Sequence, residues 1–193
     1  MKVWIVTVCA LAVWGCGSPP NASESSALPK KPPTKESKTS LPKDPSDPDE
    51  ALYEVCRKGT VQMNGAADTI EETLATAEKV KAAAAGEALA AIEDVLSLID
   101  SAGAGIADYT APIPNLEEFR KVVEAQDERR LKAIEAGNDA VRDLKEAIGI
   151  LDSLAESAPD PLKKGAAELA ELVDLCIRDL YDAVEALGGQ VND

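Results

Sequence analysis

The sequence predicts an all-α fold: an antiparallel bundle of three long helices, or four if the first is broken, behind a disordered N-terminal tether. Three observations carry this. Apolar residues make up 45% of the chain but aromatics only 3%, so the core must come from Ala, Leu, Val and Ile, which suits closely packed helices better than strands built on rings. From residue 52 onward apolar side chains recur in steps of three and four, the period of a helix with one buried face. Aspartate-proline pairs at 47–48 and 160–161 and glycines near 103 and 188 punctuate that pattern where helices start and stop.

The elements follow in order. Lys2 and the apolar run 3–13 have the build of an export signal, far shorter than the roughly 20 residues that span a bilayer. The run ends in Val13-Trp14-Gly15-Cys16, which resembles the lipobox of bacterial lipoproteins: a branched apolar residue, a tolerant position, a small residue, then cysteine. That resemblance implies cleavage before Cys16, lipidation of its thiol, and a protein held in the cell envelope by lipid, the leaflet unspecified. An ordinary secretory signal with a chance cysteine, or an uncleaved anchor, is the alternative. The domains expected are a signal peptide at 1–15, a lipidated Cys16 and linker at 16–47, and a helical bundle at 48–190. Residues 17–47 contain seven prolines among Ser, Lys and Thr and almost nothing apolar, so they cannot bury enough surface to offset ordering entropy.

Asp47, Pro48 and Glu50 form a strong helix start. Behind them Leu52, Cys56, Gly59, Met63, Ala66, Ile70, Thr73, Ala77, Val80 and Ala84 make a heptad seam rich in small residues. Past the Ala82–Ala85 run the seam resumes at Ala88, Ile92, Val95, Ile99 and Ala102 with an altered step. Gly86 costs about 1 kcal/mol against alanine, which a helix this alanine-rich can absorb, so the reading favours one helix over 48–102 with a break at Gly86 as the alternative. Asn115 and Glu118 start a second helix, whose seam of Ile134, Gly137, Val141, Leu144, Ile148, Leu151 and Ala155 runs to about 157. Leu169, Val173, Cys176, Leu180, Ala183 and Leu187 mark the last.

Charge and composition exclude much chemistry. The formal charge is −15, which argues against nucleic acid and against adsorption of the bundle to anionic headgroups. There is no histidine, so Ser-His-Asp and Cys-His catalysis and His-ligated zinc are excluded. No phosphate loop or calcium loop is visible, and the paired acids fall on solvated faces. The expectation is therefore no enzyme, no cofactor and no metal. One cluster stands out: Gln126 and Arg130 sit where the seam through Phe119 and Val123 should run, and Arg129 and Arg130 could hold an acidic partner or ligand. Glu117 with Lys121 and Glu128 with Lys132 have the spacing of ion pairs along a helix. Cys56 and Cys176 would be the only thiols left after export and lipidation, and they either pair in a disulfide or pack as two buried thiols. The function expected is a membrane-tethered, non-catalytic envelope lipoprotein that scaffolds or binds another envelope protein; the alternative is a tethered sensor or carrier with a small ligand between its helices.

Overall fold

The computed structural model describes residues 47–191, and within them 83% of residues are helical with no strand. The expectations for the signal peptide, Cys16 and the linker lie outside the described residues. Among the described residues there are four long helices, α1 (Pro48–Lys81), α2 (Glu87–Ala107), α4 (Val123–Ser157) and α5 (Asp160–Ala186), and a single turn, α3 (Leu116–Phe119). None is long and apolar enough to cross a membrane.

The helices form a ring in which α1 packs on α2 and α5, and α4 packs on α2 and α5. Every adjacent pair is antiparallel. Lys81 at the end of α1 reaches Glu93 near the start of α2, while Asn64 bonds the Thr110 carbonyl just past α2. Gly59 meets Leu187 at one end of the α1–α5 pair and Val80 lies against Gly165 at the other. The start of α1, the start of α4 and the end of α5 therefore share one end of the bundle.

The favoured single helix over 48–102 is corrected: the chain reverses at 82–86. Gly86 adopts φ 61 and ψ −134, a conformation that only glycine takes without strain. Reversal lets the apolar faces of both segments meet the same core, whereas a straight continuation would leave one of them in water. The break adds a helix and sets the direction of everything after it.

Asp47 caps α1 as expected, its carboxylate accepting the Asp49 N–H at 3.0 Å with Pro48 in the first turn. That backbone donation from Asp49, reinforced by the Arg120 guanidinium, holds the Asp47 pKa below its ordinary value. Asn115 likewise accepts the Glu118 N–H at 3.1 Å, but the helix it opens lasts one turn. The expected second helix is thus interrupted at 120–122. Phe119 is fully buried, with its ring 5.4 Å from that of Tyr53 and nearly perpendicular to it, so α3 is pinned on α1. α4 then starts afresh.

The core is a set of heptad seams. In α1 the buried residues are Cys56, Gly59, Met63, Ala66, Ile70, Thr73, Ala77 and Val80, each an expected seam position. All six expected seam residues of the last helix are buried as well. The small residues matter to packing: a Cβ on Gly59 would lie 2.2 Å from the Leu187 side chain, so the glycine sets how closely α1 and α5 approach.

Candidate functional site

Gln126, Arg129 and Arg130, singled out by their position in the seam, line one cleft together with Cys56, Tyr109 and Leu187. The cleft exists because α2 ends at Ala107, so the first turns of α4 face the 108–115 connection instead of a fourth helix. Its free volume is about 10 Å³, room for roughly one water molecule.

Both arginines are engaged by the protein's own backbone. Arg129 donates to the Ala111 carbonyl at 2.8 Å and to the Asp108 carbonyl at 3.3 Å, strapping the connection to α4. Arg130 donates from Nε to Asp127 at 2.7 Å and from a terminal nitrogen to the Leu187 carbonyl at 2.8 Å. The latter places a guanidinium, 17% exposed, at the C-terminal end of α5, where unpaired carbonyls and the helix dipole favour a cation. The polar interruption in the seam thus ties α4 to two neighbouring segments. Nearby, Lys132 pairs with Glu128 at 2.7 Å as the spacing predicts, but Lys121 takes Glu118 at 2.8 Å.

Cys56 and Cys176 are both buried and unbonded. The disulfide alternative is corrected by geometry. Cys176 lies 3.2 Å from the Thr73 hydroxyl on α1, seventeen residues beyond Cys56, which at 1.5 Å per residue is about 25 Å along the axis. A disulfide needs Cα atoms within about 7 Å. The Thr73 hydroxyl donates its one proton to the Thr69 carbonyl at 2.7 Å, so the Cys176 thiol is the donor in its contact with Thr73. Burial raises both thiol pKa values, opposed at Cys56 by the Arg130 charge.

Two outcomes are expected. Unfolded, unreduced protein should titrate two free thiols in the part beyond Cys16, while the native protein should alkylate slowly at both. In the unfolded chain these thiols ionise near their ordinary value of 9.0, and in the folded chain only at higher pH. The stability that their neutral form contributes is therefore complete below 9.0 and lost as pH climbs above it. Urea midpoints at about pH 8 and about pH 10 should differ less in a Cys56→Ala/Cys176→Ala chain than in the parent.

Some of the acidic side chains on the outer faces are paired locally or bonded to neighbours. Asp174 pairs with Arg178, Asp179 accepts from Thr69 at 2.7 Å across the α1–α5 seam, and Asp143 accepts from Ser101 at 2.9 Å across α2–α4. Among the described residues no group of three acidic or cysteine side chains converges as metal ligands would.

Sequence reasoning missed a larger cleft, about 610 Å³, between the start of α2 and the end of α4, lined by Ala88, Ala91, Gly149, Ile150, Ser153 and their neighbours, with Glu87 and Glu146 the charged groups in its wall. The small residues at these positions were the available signal. Compared with known proteins, the chain matches no protein family, no curated protein and no solved structure.

Proposed function

We propose that this chain is a membrane-tethered, non-catalytic lipoprotein of the cell envelope, anchored through Cys16, whose acidic bundle is a scaffold or docking module for another envelope protein. The observation that carries the reading is the run Val13-Trp14-Gly15-Cys16, followed by a proline- and lysine-rich spacer that joins the bundle at Asp47. Several lipid chains on one cysteine, at about 0.8 kcal/mol per buried CH₂, hold a protein to a bilayer where one chain does not.

Arg129 and Arg130 support a non-catalytic role, because both are engaged by the carbonyls of Asp108, Ala111 and Leu187. The same cleft weighs against a ligand held at the arginines, since about 10 Å³ holds no organic molecule. Net charge supports a bundle that stands off the lipid. From residue 47 onward the chain has 32 acidic and 14 basic side chains, a formal −18, which an anionic leaflet repels.

Intact-mass measurement of protein from native membranes tests the anchor. Loss of residues 1–15 with added lipid on Cys16 is expected, and a Cys16→Ser chain should appear in the soluble fraction. An unlipidated native product starting elsewhere would overturn the reading.

A further inference from the structure

We infer that the cleft between α2 and α4 is a docking groove for a basic amphipathic helix of a partner protein; this rests on the scaffold reading above and gives it a surface. The groove is long and shallow. Along α4 it runs from Glu146 to Pro159, which at 1.5 Å per residue is roughly 20 Å, or about four helical turns. Its floor is apolar and small, made by Ala88, Ala91, Ile150 and the buried Leu154, with exposed Gly149 and Ser153 beside it. Two antiparallel helices with small side chains between them leave a trough in which a third helix can lie.

Gly149, like Gly65 in α1 and Gly105 in α2, is a glycine that packing within the bundle does not require, and of the three it is the one that lines this groove. It lies inside α4, where glycine costs about 1 kcal/mol against alanine. A Cβ built there meets no heavy atom within 4 Å, so nothing in the bundle forbids a side chain. What glycine does provide is room for another backbone to come close.

Charge selects the occupant. The charged groups of the wall are Glu87 and Glu146, and they belong to a domain of formal charge −18, so the partner's flanks must carry Lys or Arg. The bundle of a second copy brings the same −18 and is repelled. The lysines that precede Asp47 are placed too far away. Lys81, beside the groove through its bond to Glu93, is 34 residues from Asp47, roughly 50 Å along α1. Lys35, Lys38 and Lys43 precede Asp47 by 12 residues or fewer, a span of at most ~43 Å fully extended. Lys30 and Lys31 could arrive only with the chain stretched nearly straight. The groove thus lies at the end of the bundle remote from Asp47, where a separate protein can approach. A contact of four turns is at the small end of stable interfaces, so the complex is a transient one with Kd on the order of micromolar.

The test uses the intact chain purified in detergent and a fluorescent peptide of about 16 residues with Ala and Leu on one helical face and Lys on the other. Its twin carries Glu in place of Lys. Anisotropy should show micromolar binding of the lysine peptide and none of the twin. Gly149→Trp, which fills the groove, should weaken binding at least about tenfold with an unchanged melting temperature, and Glu146→Lys should weaken it severalfold. Asp68→Lys, the same charge reversal on the exposed face of α1, should leave it nearly intact. Equal weakening by Asp68→Lys and Glu146→Lys would reveal general adsorption to an acidic protein and overturn the proposal. So would insensitivity to Gly149→Trp, or displacement of the lysine peptide by a peptide of residues 28–43 or by added copies of the chain. Binding is read independently of lipid on Cys16, so failure here leaves the anchor standing, and failure of the mass measurement leaves the groove standing.

Discussion

Gly86→Ala is expected to lower the stability of the single-chain bundle and shift the protein toward a dimer in which each α1 completes the other chain's bundle. Gly86 sits at φ 61 and ψ −134, where an L-residue costs on the order of 1–3 kcal/mol. Alanine also favours helix over glycine by about 1 kcal/mol. Both terms push the same way, because Ala82–Ala85 would then continue into α2 as an unbroken alanine-rich helix of about 90 Å. In a swapped dimer the contacts of α1 are remade between chains, those of α4 with α2 and α5 stay within each chain, and only the strained reversal is lost, the usual route by which hinge variants exchange elements. Size exclusion with light scattering on a Cys16→Ser background, at increasing concentration, reads the dimer against the Gly86 parent. A Gly86→Ala chain with the parent's melting temperature and no added dimer would show that the reversal is held by something other than this glycine.

Leu180→Ala should cost about 2–5 kcal/mol, the range for truncating a buried leucine into a cavity. Leu180 has no exposed surface and lies in a core already made of small residues, with Ala183 and Cys176 one turn away on either side. Few bulky neighbours are available to relax into the space. At roughly 2–4 °C per kcal/mol for a domain of this size, the melting temperature should fall by about 4–20 °C. Leu175→Ala is the matched control. Its side chain lies on the outer stripe of the same helix, 42% exposed, and its loss should stay within about 0.5 kcal/mol. Similar losses at both positions would mean that α5 is rotated relative to the seams described.

The inner faces of α1 and α5 were legible because each seam carries the same step of three and four without interruption. α4 was less so. Ile134, Ile148 and Ala155 were expected inside and are only half-buried, while Ala133, Ala140, Ala147 and Leu154 hold the buried positions. Reading by bulk favours isoleucine over alanine, but in a ring of closely packed helices the position in the heptad decides, and alanine fits the narrow space. The reversal at 82–86 was weighed as a propensity cost alone. Its real cause is tertiary, the burial available to α2 on α1 and α4, which no local window contains. The cluster at Gln126, Arg129 and Arg130 was visible as a break in periodicity. What the arginines do was not, because their carbonyl partners lie 18 and 57 residues away in the sequence.

The ring of helices also sets an order of assembly. α1 with α2, and α4 with α5, are hairpins joined by five and two residues, so their contacts are local and close quickly. The α1–α5 edge is different, since Thr73 and Cys176 are 103 residues apart in sequence. Closing a loop of that size in place of a five-residue one adds about 2.7 kcal/mol of chain entropy by the logarithmic law. The step that turns two hairpins into a closed ring is therefore the kinetically demanding one. It falls on the seam where Thr69 meets Asp179 and Thr73 meets Cys176, two polar contacts that a slip of one turn would break.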